Sequence, residues 1–213
     1  MGCDIHTMLE VRLPSGEWEC VTPFETEEDD GETYSYPVWD KQPYRGRNYQ
    51  LFTILAGVRD YSSGVESISE PRGVPDDASQ VYKDYVEQWD SDGHSHSYFT
   101  LQELFDVDWT RTFKQRGVVS VNDYVRYKKW GYNPLSWCQW TSEKTVSNEE
   151  MDALIVKGVD NGVFTAIEWE DPFYEAAKDF LAKTVFGVMI KEWRERGALA
   201  SPNDIRLVFL FDN

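Results

Sequence analysis

The chain has only three histidines, and all of them fall in two short motifs. Asp4-Ile5-His6 is a D-x-H pair in a strand-like segment, so alternation puts both polar side chains on one face. His94-Ser95-His96 is an H-x-H pair inside the turn-rich run Asp90–Ser97, a spacing that can place both rings on one side. Imidazole is the commonest transition-metal ligand, and carboxylates such as Asp4 and Asp92 complete sites of this kind. His6, His94 and His96 with one or two aspartates would suit Zn²⁺, Mn²⁺ or Fe²⁺. A metal so held polarises a phosphoryl oxygen or lowers the pKa of a bound water. Without a metal, the same residues read as a polar acid–base cluster. A third reading is structural: D-G-H-S-H-S is ordinary turn composition, and His6 is a hydrogen-bonded strand residue.

A second group is basic. Arg45, Arg47, Arg59 and Arg72 stand beside Tyr44, Tyr49 and Tyr61. Guanidinium forks match phosphate and carboxylate, and neighbouring rings can stack a base. Arg47, Arg59, Arg72 and Tyr49 are therefore candidate ligand-binding residues for a small phosphorylated molecule. The alternative pairs these arginines with acids of the same stretch, Glu66, Asp76 and Asp77.

The elements that must position these groups read as α+β, with a mostly antiparallel or mixed sheet. Residues 3–13 alternate as a strand: Cys3, Ile5, Leu9 and Val11 face a core, and Asp4, His6, Met8 and Glu10 face solvent or a site. Pro14-Ser15-Gly16 turns the chain into a hairpin partner over 17–22. Asn48 and Ser79 cap helices, and Thr100 with Glu103 and Ser147 with Glu150 have capping-box spacing. Residues 120–129 read as a further helix, 130–140 as aromatic loop, and 163–169 as a strand. Asp171 as cap and Pro172 in the first turn open a long helix over 172–196, which Gly197 stops. Residues 205–211, IRLVFLF, read as a strand buried on both faces, with the long helix packed on its sheet. The expected organisation is a single domain, 1–213, with long irregular loops at about 25–46 and 60–77.

Composition sets the outer bounds. A formal charge of −17 opposes binding to duplex nucleic acid or anionic membrane. The three cysteines match no zinc spacing and read as free thiols of a reducing compartment. The start MGCDIHTMLE lacks the basic and apolar regions of an export signal, and apolar stretches such as 207–211 are too short to span a bilayer. A cytoplasmic protein is expected. No P-loop, dinucleotide turn, nucleophile elbow or H-E-x-x-H helix is present.

Several fragments carry a resemblance. They are MGCDIH, the block from Arg47 to Arg59, Pro71-Arg72-Gly73-Val74-Pro75, Asp92-Gly93-His94-Ser95-His96-Ser97, and the terminal run from Arg206 to Asn213. Together they resemble a family of small bacteriophage-encoded proteins without an assigned biochemical function. The resemblance implies expression in the cytoplasm of an infected bacterium. It also implies an accessory role such as interference with host defence or nucleotide metabolism, and it brings no catalytic residues.

Three functional classes follow. The first is a metal-dependent hydrolase of a nucleotide-like phosphoester, with His6, His94 and His96 as ligands to Zn or Mn. Asp4 and Asp92 would be ligand or base, and Arg47, Arg59 or Arg72 the phosphate clamp. The second is a binding protein that sequesters a nucleotide-like signal through the same arginines and rings. The third is an acidic inhibitor of a host protein that mimics DNA charge.

Overall fold

The computed structural model describes residues 2–29, 31–60, 65–197 and 200–212. The fold is α+β. The strands are β1 (Ile5–Arg12), β2 (Trp18–Cys20), β3 (Phe24–Asp29), β4 (Glu32–Pro37), β5 (His94–Thr100), β6 (Thr112–Ser120), β7 (Thr145–Val146), β8 (Phe164–Pro172) and β9 (Ile205–Phe211). The helices are α1 (Tyr49–Ala56), α2 (Gln80–Trp89), α3 (Leu101–Asp106), α4 (Val121–Trp130), α5 (Asn148–Val156), α6 (Phe173–Phe180) and α7 (Ile190–Glu195). Between α6 and α7 the helix continues over Leu181–Met189 with the wider hydrogen-bond spacing of a π-helix. No helix among the described residues is long and apolar enough to cross a membrane.

The chain divides into two compact units: residues of 1–60, 66–109 and 176–213 form the first, and residues of 110–175 the second. The first is built on a sheet of order β2-β1-β9-β5. The expected pairing of the first and last strands is present: β1 and β9 run antiparallel, from Ile5 opposite Phe211 to Val11 opposite Ile205. On one face Ile5, Leu9, Val11, Leu207 and Phe209 pack with α1 and with Phe180, Leu181, Val185 and Met189 of the long helix. On the other, Met8, Val208 and Leu210 pack with Tyr82 and Tyr85 of α2. Of the face of β1 expected to meet solvent or a site, Met8 and Glu10 are instead fully buried.

Glu10 can be buried because Arg206 stands directly opposite it in the register. Arg206 Nε donates to Glu10 Oε2 at 2.7 Å, and Nη1 donates to Asp77 Oδ1 at 2.7 Å. The guanidinium lies 3.9 Å from the Trp18 ring centroid. The other Glu10 oxygen accepts the backbone N–H of Ser79 at 2.8 Å, which ties the start of α2 to the sheet. Asp77 thus serves Arg206, not an arginine of the 45–72 stretch.

Three local expectations need correction. Residues 25–46 were expected as irregular loop, but β3 and β4 form a hairpin there. Its register sets Glu25 opposite Tyr36 and Glu27 opposite Tyr34, so no apolar alternation announces it. The Asp30-Gly31 dipeptide is the usable signal, since D-G is hairpin-turn chemistry. Of the second expected loop, 65–77 is indeed without helix or strand, and 61–64 lie outside the described residues. Of the loop or short strand open to the H-x-H motif, the structure has the strand: residues 94–97 belong to β5. The strand β8 runs on through Pro172, so Asp171 caps nothing. Its carboxylate accepts instead from Trp169 Nε1 at 2.7 Å and Asn133 Nδ2 at 2.6 Å. The helix then spans 173–195 with its π-helical middle.

The second unit contains the sheet β6-β8-β7. The strand β6 had no expectation attached to it, although Phe113, Gln115 and Val119 alternate inward. Gly117 completes that face because a side chain there would collide: a Cβ would lie 2.8 Å from the Trp137 ring and 3.1 Å from the Trp169 ring.

The buried pair yields a stability prediction. Arg206→Met should lower unfolding free energy by about 3–5 kcal/mol, because Glu10 is left buried without its partner. Adding Glu10→Leu should recover much of that loss. Urea denaturation of the two variants checks this, and an additive double mutant would contradict it.

Candidate functional site

The β1–β9 pairing brings the two ends of the described chain together. Asp4 N–H donates to Asp212 Oδ1 at 2.8 Å, and Asp212 N–H donates to the Asp4 carbonyl at 3.2 Å. Asp212, just past β9, is thereby held beside His6 on β1. Its second oxygen, Oδ2, lies 3.1 Å from His6 Nε2. The other ring nitrogen, Nδ1, lies 3.1 Å from the Tyr85 hydroxyl of α2. Burial pushes the Tyr85 phenol up to about 12. The Asp212 carboxylate can only accept, so Nε2–H donates to it, and in the neutral ring Nδ1 accepts from the Tyr85 hydroxyl. Trp89, one turn after Tyr85, closes the ring's other side with centroids 4.5 Å apart. Carboxylate, imidazole and phenol form one hydrogen-bonded chain.

The arginines of the 47–59 block meet this chain from α1. Arg47 Nε donates to Asp4 Oδ1 at 2.7 Å, and Nη2 donates to the other oxygen, a bidentate pair. The Arg47 hydrogen bonds hold the Asp4 carboxyl below its ordinary range. Both side chains are about half exposed. Arg59 Nη2 donates to the Gly2 carbonyl at 3.2 Å, and its guanidinium lies 5.9 Å from the Tyr49 ring centroid. Tyr49 in turn accepts the Cys3 N–H at 3.2 Å. Burial raises the Cys3 thiol, so it is a packed group and not a nucleophile. Asn48 positions the block: its side chain caps α1 and also donates to the Ala176 carbonyl at 2.8 Å.

The H-x-H motif lies on the far side of β9. His94 faces Phe211 and Ser97 faces Phe209, so Ser95 and His96 together oppose Leu210. That is a β-bulge, and Ser95 takes a left-handed φ of 51° to make it. Simple alternation across the motif fails for this reason. His94 stacks on Phe211, with centroids 6.1 Å apart, and its Nδ1 meets Ser95 Oγ at 3.0 Å. The Nε2 atoms of both His94 and His96 are buried and have no hydrogen-bond partner among the described residues. Burial first, and then the proximity of His94, lowers the His96 pKa. Gly93 is needed just before the motif, because a Cβ there would come 2.7 Å from Trp89 Cβ.

The structure thus brings Asp4, His6, Arg47, Tyr49 and Arg59 to one end of the sheet, with His94 across β9 from them. Two expected members lie elsewhere. Arg72 donates to Glu103 Oε1 of α3 at 2.7 Å and sits 4.8 Å from the Phe99 ring centroid. Asp92 is exposed in the turn after α2. Among the described residues no group of three or more His, Cys, Asp or Glu could hold a metal ion. His6 has both nitrogens engaged by Asp212 and Tyr85. Sequence reasoning missed Asp212, Tyr85 and Trp89. The helical spacing of Tyr85 and Trp89 was readable only as an apolar face, and Asp212 becomes relevant only through the register.

No protein-family model, curated protein or solved structure matches the chain.

Backbone strain collects in the same region. Among the described residues, the non-glycine positions with positive φ are Arg59, Asp90 and Ser95. Arg59 belongs to the basic group, Asp90 follows Trp89, and Ser95 makes the bulge. Each such conformation costs about 1–3 kcal/mol, and strain of this kind clusters at functional sites.

The lowered His96 pKa fixes the sign of a pH effect. The unfolded chain takes up the proton near the ordinary 6.5 and the folded chain only below it. Stability from the neutral ring is complete above that value and falls as pH drops through the folded pKa. His96→Gln should therefore flatten the loss of melting temperature between pH 7.5 and about 5, relative to wild type. Thermal melts across this range test it, and an unchanged slope would refute it.

Proposed function

We propose that this end of the sheet binds a small, phosphorylated, nucleotide-like ligand. The observation that carries the reading is the half-exposed Asp4–Arg47 pair lying beside the Asp212–His6–Tyr85 chain. In the absence of ligand, Asp4 occupies the fork that a phosphate would take. A phosphate exchanges with Asp4 for bidentate donation from Arg47, because guanidinium geometry suits both anions. Arg59 adds positive charge beside it, and the Tyr49 ring offers a face for a base. The histidine, oriented by Asp212, supplies a polar wall that can share or move a proton. In the infected cell that the sequence resemblance implies, such binding would withdraw a phosphorylated signal from a host pathway.

A second reading, metal-dependent hydrolysis of the same ligand class, is favoured by one observation. The orphan Nε2 atoms of His94 and His96 are what a Zn²⁺ or Mn²⁺ ion would satisfy. These two residues fit as two ligands; no third is placed with them among the described residues. A metal there would supply Lewis acidity for hydrolysis. Metal analysis of purified wild type and of the His94→Ala/His96→Ala variant decides this reading.

Calorimetry with mono-, di- and cyclic nucleotides tests the binding reading. Arg47→Ala should weaken binding by about 1.5–3 kcal/mol, the scale of a hydrogen bond to a charged group. Asp4→Asn should tighten it, because the internal competitor is gone. Affinity should fall as salt rises. If no nucleotide binds the wild type at millimolar concentration, or Asp4→Asn weakens binding, the proposal is wrong.

A further inference from the structure

The second unit carries a groove that plays no part in the site above. It has a volume of about 410 Å³, within the range of small-molecule pockets. Val121 and Val125, one turn apart on α4, form one wall, and Ile155 and Val159 form the other. Trp130, 54% exposed at the end of α4, adds a ring at the edge. This surface is apolar, and water is a poor occupant for it.

Two charged groups, Arg126 and Asp160, line that apolar setting. Arg126 lines the groove, and its Nε–H is buried without a hydrogen-bond partner among the described residues. Its guanidinium carbon lies 5.5 Å from the Tyr132 ring centroid. A buried cationic N–H with no acceptor is unfavourable until an acceptor arrives. The neighbouring cation of α4 differs. Lys128 is already bonded to Asp152 and to the Tyr124 hydroxyl, on the side of a smaller depression of about 170 Å³. Arg126 is therefore the group that calls for an external anion. Asp160 also lines the groove, and its charge opposes a second negative charge on the occupant. An apolar wall, an unsatisfied arginine donor and a nearby aspartate together select an apolar molecule bearing a single negative charge.

We propose that this groove binds a small monocarboxylate with an apolar chain or ring. The carboxylate pairs with the Arg126 guanidinium that lines the groove, and the apolar part lies against Val121, Val125, Ile155, Val159 and Trp130. The proposal is independent of the phosphate site, because none of its residues belongs to that site.

Equilibrium dialysis of the full chain against n-octanoate tests it, with 1-octanol and octanedioate as comparators. Octanoate should bind, and each comparator should bind about tenfold more weakly or worse, since one lacks the anion and the other carries a second. Arg126→Met keeps an apolar stem without the guanidinium, and should bring octanoate down to the level of octanol. Asn122→Trp fills the groove from an exposed position, and should abolish binding of both. Circular dichroism confirms that each variant folds, and if Arg126→Met does not, Asn122→Trp carries the test. Equal binding of octanoate and octanol by the wild type overturns the proposal. So does octanoate binding retained in either folded variant, or no octanoate bound at millimolar concentration.

Discussion

Antiparallel pairing of β1 with β9 is the constraint on which the rest of the first unit depends. It joins residues near the two ends of the chain in one register. At one end of that register Glu10 meets Arg206, and a buried ion pair fixes which residue faces which. A slip by one residue would leave both charges in the core without partners, at a cost of several kcal/mol. At the other end the same register sets Asp4 beside Asp212 and so builds the candidate site. The ion pair and the site are two consequences of a single alignment. Ser79, held by Glu10, starts α2, and α2 ends at Tyr85 and Trp89 against His6. The position of the phenol is thus traceable to the same buried carboxylate.

The candidate site is held by hydrogen bonds among its own groups. His6 is fixed from both sides, by a carboxylate and by a phenol that burial keeps protonated. Arg47 is aligned by Asp4, whose backbone is in turn bound to Asp212. Residues at Arg59, Asp90 and Ser95 carry strained backbone around this arrangement. Strain persists only where the surroundings over-determine it, and here the surroundings are a sheet buried on both faces. A rigid support with half-exposed charged groups on its edge is what recognition of a small anion requires.

Much of this fold is legible in the sequence, because local chemistry decides it. Asn48, Ser79, Thr100, Ser120 and Ser147 all cap the helices that follow them. The apolar run 205–211 is fully buried, as a strand without polar alternation should be. Elements governed by pairing were harder to read. The β3–β4 hairpin carries acidic residues that look like loop, and the bulge at Ser95 depends on the partner strand. Of the site, Asp4, His6, Arg47, Tyr49 and Arg59 could be singled out by residue type. Their partners could not: Asp212 is some two hundred residues from His6 in the chain, and only the β1–β9 register brings them together. Arg72 was grouped with Arg47 by sequence proximity, but the chain between them carries it to β5 and α3.

The central claim is that Asp212 and Tyr85 hold His6 in one orientation and one tautomer. Two-bond ¹⁵N–¹H correlation spectra of the imidazole ring read this directly at neutral pH. The account predicts a single set of His6 signals with Nε2 protonated and Nδ1 bare, and a change of that pattern in Tyr85→Phe. Protonation at Nδ1, or averaging between the two tautomers in the wild type, would contradict it.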